Sequence, residues 1–278
     1  MAGVTDGGQS QNAHTPRWRE AEGGGVDTVT AHWALGKEVR RTEVGSSVML
    51  YDASRVINFV PAWFESDFWH RHSALEGSAH GRGQVHIFRS GERRYVLRHY
   101  RRGGLVRRLI ADSYLWRGEQ ASRPFREWSL TYYLHRAGLP VATPIAARAR
   151  RRGLLYSGDL ITELLPETQS LAQAMAAGPL SALQWESIGR CLRRFHDGGV
   201  DHADLNAHNI LLGAGNAVYL IDFDRCRLRK PGLWCDSNIA RLRRSLEKIA
   251  YGLPPERFDE ASWHALLGAY LRAPVLRP

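Results

Sequence analysis

His202-Ala203-Asp204-Leu205-Asn206-Ala207-His208-Asn209-Ile210-Leu211-Leu212, followed by Val218-Tyr219-Leu220-Ile221-Asp222-Phe223-Asp224, is the stretch on which the reading of the fold turns. Asn209 stands five residues after Asp204, and Asp222-Phe223 closes an apolar run thirteen residues later. The residue types suit one chemistry. A hydroxyl that is to attack phosphorus needs a carboxylate beside it to orient it and take its proton, and Asp204 is the candidate. A magnesium ion takes hard oxygen ligands, and Asn209 and Asp222 could supply two of them together with nucleotide phosphates. Ile210-Leu211-Leu212 would anchor the loop in a core.

A single His-x-Asp before a strand is commonly just a turn; the joint pattern is far less common. It matches the catalytic loop and metal-binding aspartate of kinase folds. On this reading His202 braces the loop backbone and takes no part in catalysis.

Working outward, such a site needs a cation on a strand to meet the α and β phosphates of ATP, and a glutamate on the next helix to hold it. Arg94-Tyr95-Val96-Leu97-Arg98 is the strand and Glu127 the partner, with Arg98 where a lysine is usual. Arginine keeps the charge but presents a wider planar fork. Gly81 and Gly83, ahead of the strand at 84–89, are candidates for a turn whose backbone amides cover the phosphates. Glu163 falls where an interlobe hinge would present backbone groups to adenine.

The flanking pattern supports two lobes. Short β-rich runs are expected at 47–51, 55–59, 84–89 and 94–98, the last two joined by a tight turn at 90–93. Pro124 opens a helix over 125–137 whose Phe125, Trp128, Tyr132 and Leu134 recur at helical spacing, ended by Gly138 and Pro140. Strands follow at 141–147, 154–156 and 160–165. Helices are expected at 171–177, 183–196, 239–251 and 261–271, with strands at 210–212 and 217–222 between them. The layout is α+β: a loose leader over 1–43, a β-rich lobe with one helix over 44–165, and a helical lobe carrying the catalytic loop over 166–278.

Composition agrees with a folded protein: 278 residues, 44% hydrophobic, with nine Trp and ten Tyr. Net charge is +10, and Lys37, Lys230 and Lys248 are the only lysines, so the excess is carried by arginine and calls for an anionic partner. Arg101, Arg102, Arg107 and Arg108 cluster, Arg148 to Arg152 include four, and Arg241, Arg243 and Arg244 share a helix. Tyr114, Trp116 and Phe125 either contact lipid or pack. No nucleic-acid motif occurs and no protein partner is indicated. Cys191, Cys226 and Cys235 form no metal-type spacing, and an odd count does not make a disulfide framework. No apolar run is long enough to cross a membrane, which points to a cytoplasmic or peripheral protein.

The run Tyr95-Val96-Leu97-Arg98-His99-Tyr100-Arg101-Arg102-Gly103-Gly104, with the 202–209 loop and Ile221-Asp222-Phe223-Asp224, resembles the 3-deoxy-D-manno-octulosonic acid (Kdo) kinases of the lipopolysaccharide-core kinase family. The likeness spans roughly residues 63 to 253. It implies a protein-kinase-like two-lobed fold, with ATP and Mg²⁺ used to phosphorylate the 4-hydroxyl of Kdo on a lipid A precursor. It also implies peripheral attachment to the cytoplasmic face of the bacterial inner membrane, an anionic surface that the arginines match. Asp224 in place of the usual glycine, Asn206 in place of lysine, and the 54 residues after Asp224 leave little room for a peptide-docking platform. The second reading is a soluble sugar or aminoglycoside phosphotransferase, which would need the same base and metal ligands but not the Arg101 to Arg108 cluster. A nonenzymatic module is disfavoured by the intact Asp204, Asn209 and Asp222.

Overall fold

Val39–Val44 (β1) and Ser47–Asp52 (β2) pair antiparallel across a two-residue turn at Gly45, whose φ of 59° lies in the left-handed region where a side chain is disfavoured. They begin the larger sheet of a computed structural model that describes residues 36–56, 58–80, 84–101 and 113–272. A helix, Ser66–Arg71 (α1), precedes Leu75–His80 (β3), Gln84–Ser90 (β4) and Arg93–His99 (β5). A short strand, Tyr114–Leu115 (β6), leads to the helix Arg123–Arg136 (α2), then Pro144–Arg152 (β7) and Leu155–Glu163 (β8). The sheet order is β1-β2-β7-β8-β5-β4-β3, with β6 on β8 and every described pairing antiparallel.

Both faces of this sheet are covered, which is why β7 is buried almost continuously instead of alternating. Ala147 and Ala149 face Phe125, Trp128 and Tyr132 of α2, while Ile145 and Ala146 join Trp63, Trp69, Phe88 and Tyr95 on the other side. Small side chains on β7 let α2 sit close. Gly158 on β8 does the same at the start of α2, because a Cβ there would come within 2.8 Å of the Pro124 ring. The helix faces two ways: Leu130 and Leu134 turn from the sheet into the core of the second lobe, so the four apolar residues read as one face divide between two cores.

That second core is built from Gln169–Ser170 (β9), Leu171–Ala177 (α3), Ala182–Asp197 (α4), Val200–Asp201 (β10), Ile210–Leu212 (β11), Val218–Leu220 (β12), Arg227–Leu228 (β13), Trp234–Ala250 (α5) and Glu260–Arg272 (α6). Ser170 with Gln173 and Ser181 with Gln184 form capping boxes that start α3 and α4 where the pattern predicts helices. Pairing of β10 with β13, and of β11 with β9 and β12, frames both ends of the 202–209 loop.

The sequence expectations need five corrections. Among the described residues of 55–59 no strand forms: Asp52 accepts from the Ser54 N–H at 2.9 Å and hydroxyl at 2.6 Å, turning the chain, and a 3₁₀ turn follows at Pro61–Phe64. The strand at 141–147 starts only at Pro144, since Val141 bridges to Leu220 instead. The runs at 154–156 and 160–165 are one strand, and its polar Asp159 is buried against Arg148 at 2.7 Å and His99 at 2.6 Å. Strand β1 begins at Val39, inside the stretch read as leader, and α1 and β3 were not anticipated. Finally, Arg148 is not part of a solvated basic surface. It is buried in ion pairs with Asp159 and Glu65, and Arg150 joins it on Glu65 at 2.5 Å, holding α1 and its preceding turn to the sheet.

Tyr114 and Phe125 are core residues, and Trp116 packs edge-on to Tyr156 at 5.7 Å. All three cysteines are buried thiols; burial pushes Cys191 up to about 12 and raises Cys226 further, so neither offers a thiolate at neutral pH. Among the described residues no helix is long and apolar enough to cross a membrane.

Candidate active site

The loop bearing Asp204 is held by its own backbone. The Asn206 and Asn209 side-chain amides both donate to the Asp204 carbonyl, at 3.0 and 2.9 Å, and Asn206 Oδ1 accepts from the His208 N–H at 2.9 Å. His202 is buried beneath the loop. Burial lowers its pKa, so the ring is neutral, and its two nitrogens have separate tasks. Nδ1 accepts from the Asp204 N–H at 3.3 Å, which assigns the proton to Nε2, and Nε2 donates to the Ile221 carbonyl at 3.1 Å. His202 therefore ties the 202–209 loop to the residue before Asp222, the bracing role read from the sequence. Arg241 and Ser245 of α5 complete the support, bonding the His202 carbonyl and the Ala207 N–H at 3.2 Å each. The Asp204 side chain itself is exposed.

Across the cleft, Arg98 leaves β5 on the face opposite Leu97, as strand alternation requires. One end of its guanidinium pairs with Glu127 of α2 and the other with Asp222 Oδ1 at 2.9 Å. The expected strand cation, helix glutamate and aspartate thus meet in one place. Tyr100, which sequence reasoning missed, lies two residues along the same face; it donates to Glu127 and accepts from Arg98 at 3.2 Å. Burial by itself would lower the Arg98 pKa, but Glu127, Tyr100 and Asp222 outweigh it and hold the group well above the ordinary arginine value. Burial pushes the Glu127 carboxyl up against the opposing pull of Arg98.

Asp222 has φ 66°, an uncommon conformation for a residue with a side chain. The Ile221 N–H donates to the Asn209 carbonyl at 3.1 Å, so the two candidate ligands sit on bonded neighbouring segments. The Asn209 amide nitrogen is spent on the Asp204 carbonyl, which leaves its Oδ1 as the atom that would meet a hard cation. Among the described residues no cluster of three or more His, Cys, Asp or Glu could hold a metal. The residues present fit Mg²⁺ only as a two-ligand site completed by phosphate oxygens.

Glu163 is the last residue of β8, at the passage between lobes; its N–H donates to the Thr143 carbonyl and that of Leu164 to the Arg94 carbonyl. Those two amides are already used, so adenine would have to meet carbonyls here or amides further on. Gly81 and Gly83, and the arginines at 102, 107 and 108, lie outside the described residues. On α5, Arg243 pairs with Glu247 and Glu260, while Arg241 bonds the 202–209 loop at the His202 carbonyl.

Sequence reasoning also missed Arg123. It pairs through two nitrogens with the Asp224 carboxylate, one bond at 2.9 Å, and donates to the Tyr114 hydroxyl at 2.7 Å. The only signal in the sequence was the carboxylate at 224 where glycine is usual.

Fold and site together define a protein-kinase-like phosphotransferase, with the sheet and α2 above the cleft and the aspartate-bearing loops below. A family model, that of the lipopolysaccharide kinase (Kdo/WaaP) family, matches residues 66–270, through α6 and beyond the end expected from the motifs. A protein of Vibrio cholerae serotype O1 named 3-deoxy-D-manno-octulosonic acid kinase is 41% identical over 182 residues, which are 66% of this chain and 77% of that one. Proteins of the same name from Vibrio vulnificus strain CMCP6 and Haemophilus influenzae strain PittEE are each 36% identical, over 84% and 80% of this chain and 98% and 95% of theirs. The chain belongs to the lipopolysaccharide kinase (Kdo/WaaP) family.

Proposed function

We propose that the protein is an ATP-dependent 3-deoxy-D-manno-octulosonic acid kinase that phosphorylates the 4-hydroxyl of Kdo on a lipid A precursor, working peripherally at the cytoplasmic face of the bacterial inner membrane. The observation that carries this reading is that a chain aligning with almost the whole length of relatives so named also brings Arg98, Glu127 and Asp222 together beside the braced loop of Asp204. In the reaction Asp204 orients the acceptor hydroxyl and takes its proton as the oxygen bonds to the γ-phosphorus and the bond to the bridging oxygen of ADP breaks. Arg98, held by Glu127, leaves Asp222 for the nucleotide phosphates. Asn209 and Asp222 would hold Mg²⁺, which supplies charge neutralisation on the phosphates.

The test offers Kdo-lipid A, free Kdo, an aminoglycoside and a heptose beside ATP and Mg²⁺, with phosphate position read by mass spectrometry. Phosphate on the Kdo 4-hydroxyl of the lipid-linked acceptor is expected; preferential transfer to a soluble acceptor would favour the sugar or aminoglycoside alternative. Cosedimentation with anionic vesicles at low salt and release at high salt is expected in the same preparation, since each basic residue near such a surface contributes about 1 kcal/mol that salt screens.

The metal assignment has its own check. Asp222→Ala and Asn209→Ala should each lower activity and make nucleotide affinity less dependent on Mg²⁺, read by nucleotide titration with and without the ion. An unchanged metal dependence in both variants would place the ligands elsewhere.

A further inference from the structure

Among the described residues two ion pairs cross between the lobes at the cleft, and only one of them has been given a role. Arg98 reaches Asp222; beside it Arg123 reaches Asp224, two residues on. The Tyr100 ring lies against both guanidiniums, 4.8 Å from that of Arg98 and 5.4 Å from that of Arg123, while its hydroxyl bonds Glu127. Arg123 is also the first residue of α2, the helix that carries Glu127. That end of the helix is fixed to β8: the Arg123 N–H donates to the Tyr156 hydroxyl at 2.9 Å, and Pro124 packs on Gly158.

On the other side the loop is tightly specified. Asp222 and Arg225 are both left-handed, with φ of 66° and 64°, and they bracket Phe223-Asp224. Backbone in such conformations persists only where its surroundings hold it. Phe223 is held by ring contacts, stacked with Phe195 at 6.0 Å and tilted against His202 at 5.3 Å. Asp224 is held by Arg123. Their side chains are 24% and 14% exposed, so the pair is better enclosed than a surface salt bridge, and its two-nitrogen geometry fixes orientation as well as distance.

We propose that Arg123 and Asp224 are a positioning pair that locks the start of α2 to the loop of Asp222, so that Glu127, Arg98 and Asp222 are presented to the nucleotide as one unit. The proposal rests on the kinase reading of the site. Neither residue needs to touch substrate. Without the pair, Phe223 would keep the loop folded, but the distance between Asp222 and Arg98 would no longer be set from both lobes.

The experiment is a double-mutant cycle on the full chain with Arg123→Gln, Asp224→Asn and both together, plus Arg123→Lys. The readouts are the affinity of a nonhydrolysable ATP analogue, its Mg²⁺ midpoint, kcat and the melting temperature. Each single change is expected to weaken analogue binding and lower kcat by about tenfold, with the double variant no worse than the poorer single, since the two act as one contact. Arg123→Lys should recover part of the loss, and the Mg²⁺ midpoint should not move. Losses that multiply in the double variant would overturn the proposal, as would a shifted Mg²⁺ midpoint in Asp224→Asn, which would make Asp224 a metal ligand. A lowered melting temperature with unchanged analogue affinity would also overturn it, reducing the pair to a structural contact. Because the analogue cycle needs no acceptor, it reads the coupling even if the wild type fails to phosphorylate Kdo, the result that would instead overturn the functional reading.

Discussion

Asp204→Asn is expected to lower kcat by about 10²-fold or more while nucleotide binding and melting temperature stay at wild-type values, the usual scale for losing a general base. The change suits the question because it alters almost nothing else. Asn has the same shape, the Asp204 side chain is exposed, and the loop is held through the Asp204 carbonyl and N–H, which the substitution keeps. Turnover is measured with saturating ATP and Kdo-lipid A, and binding with the nonhydrolysable analogue. Near wild-type turnover would mean that another group takes the proton.

The largest effect on stability is expected far from the chemistry, at Gly189 on α4. A Cβ there would stand 2.1 Å from the Leu266 carbonyl and 2.9 Å from the Tyr270 N–H of α6, so the two helices touch backbone to backbone. Gly189→Ala must push them apart, loosening Trp185, Ile188 and Leu192 against Trp263 and Leu266 and stretching the 2.8 Å bond between His196 and the Tyr270 hydroxyl. Overpacking against rigid backbone should cost about 3 kcal/mol or more, a fall in Tm on the order of 10 °C for a chain of this size. Gly268→Ala is the control: its Cβ would meet only the flexible end of Arg272 at 3.0 Å, and its Tm should move little. Equal shifts in the two variants would show that α4 and α6 do not pack this closely.

The parts of the site that were legible in the sequence are those whose chemistry depends on spacing along one strand or loop. Asp204, Asn209 and Asp222 lie in a single antiparallel excursion through β11 and β12, so their order and separation determine their geometry. Arg98 was legible because a kinase-type site calls for a cation on a strand and 94–98 is one, and Glu127 because the next helix was marked by Pro124 and its apolar repeat. The same local pattern placed helices at 171–177 and 183–196, where the structure has α3 and α4. It failed where local propensity competes with a polar contact. Arg55 to Phe59 reads as a strand until the Asp52 carboxylate bends the chain, and Asp159 looks like a break until the Arg148 guanidinium pairs with it and the His99 ring bonds it inside the sheet.

The arginines show the same limit from the other side. Charge counting could say that +10 needs an anionic setting, but not which arginines remain to meet it. Arg148 and Arg98 satisfy buried carboxylates, Arg241 braces the 202–209 loop, and Arg123 reaches an aspartate 101 residues away on the opposite lobe. No periodicity encodes a contact of that separation. It depends on α2 packing on β7 and β8 and on the loop after β12 reaching across the cleft, so a pair such as Arg123 and Asp224 exists only once both lobes have folded against each other.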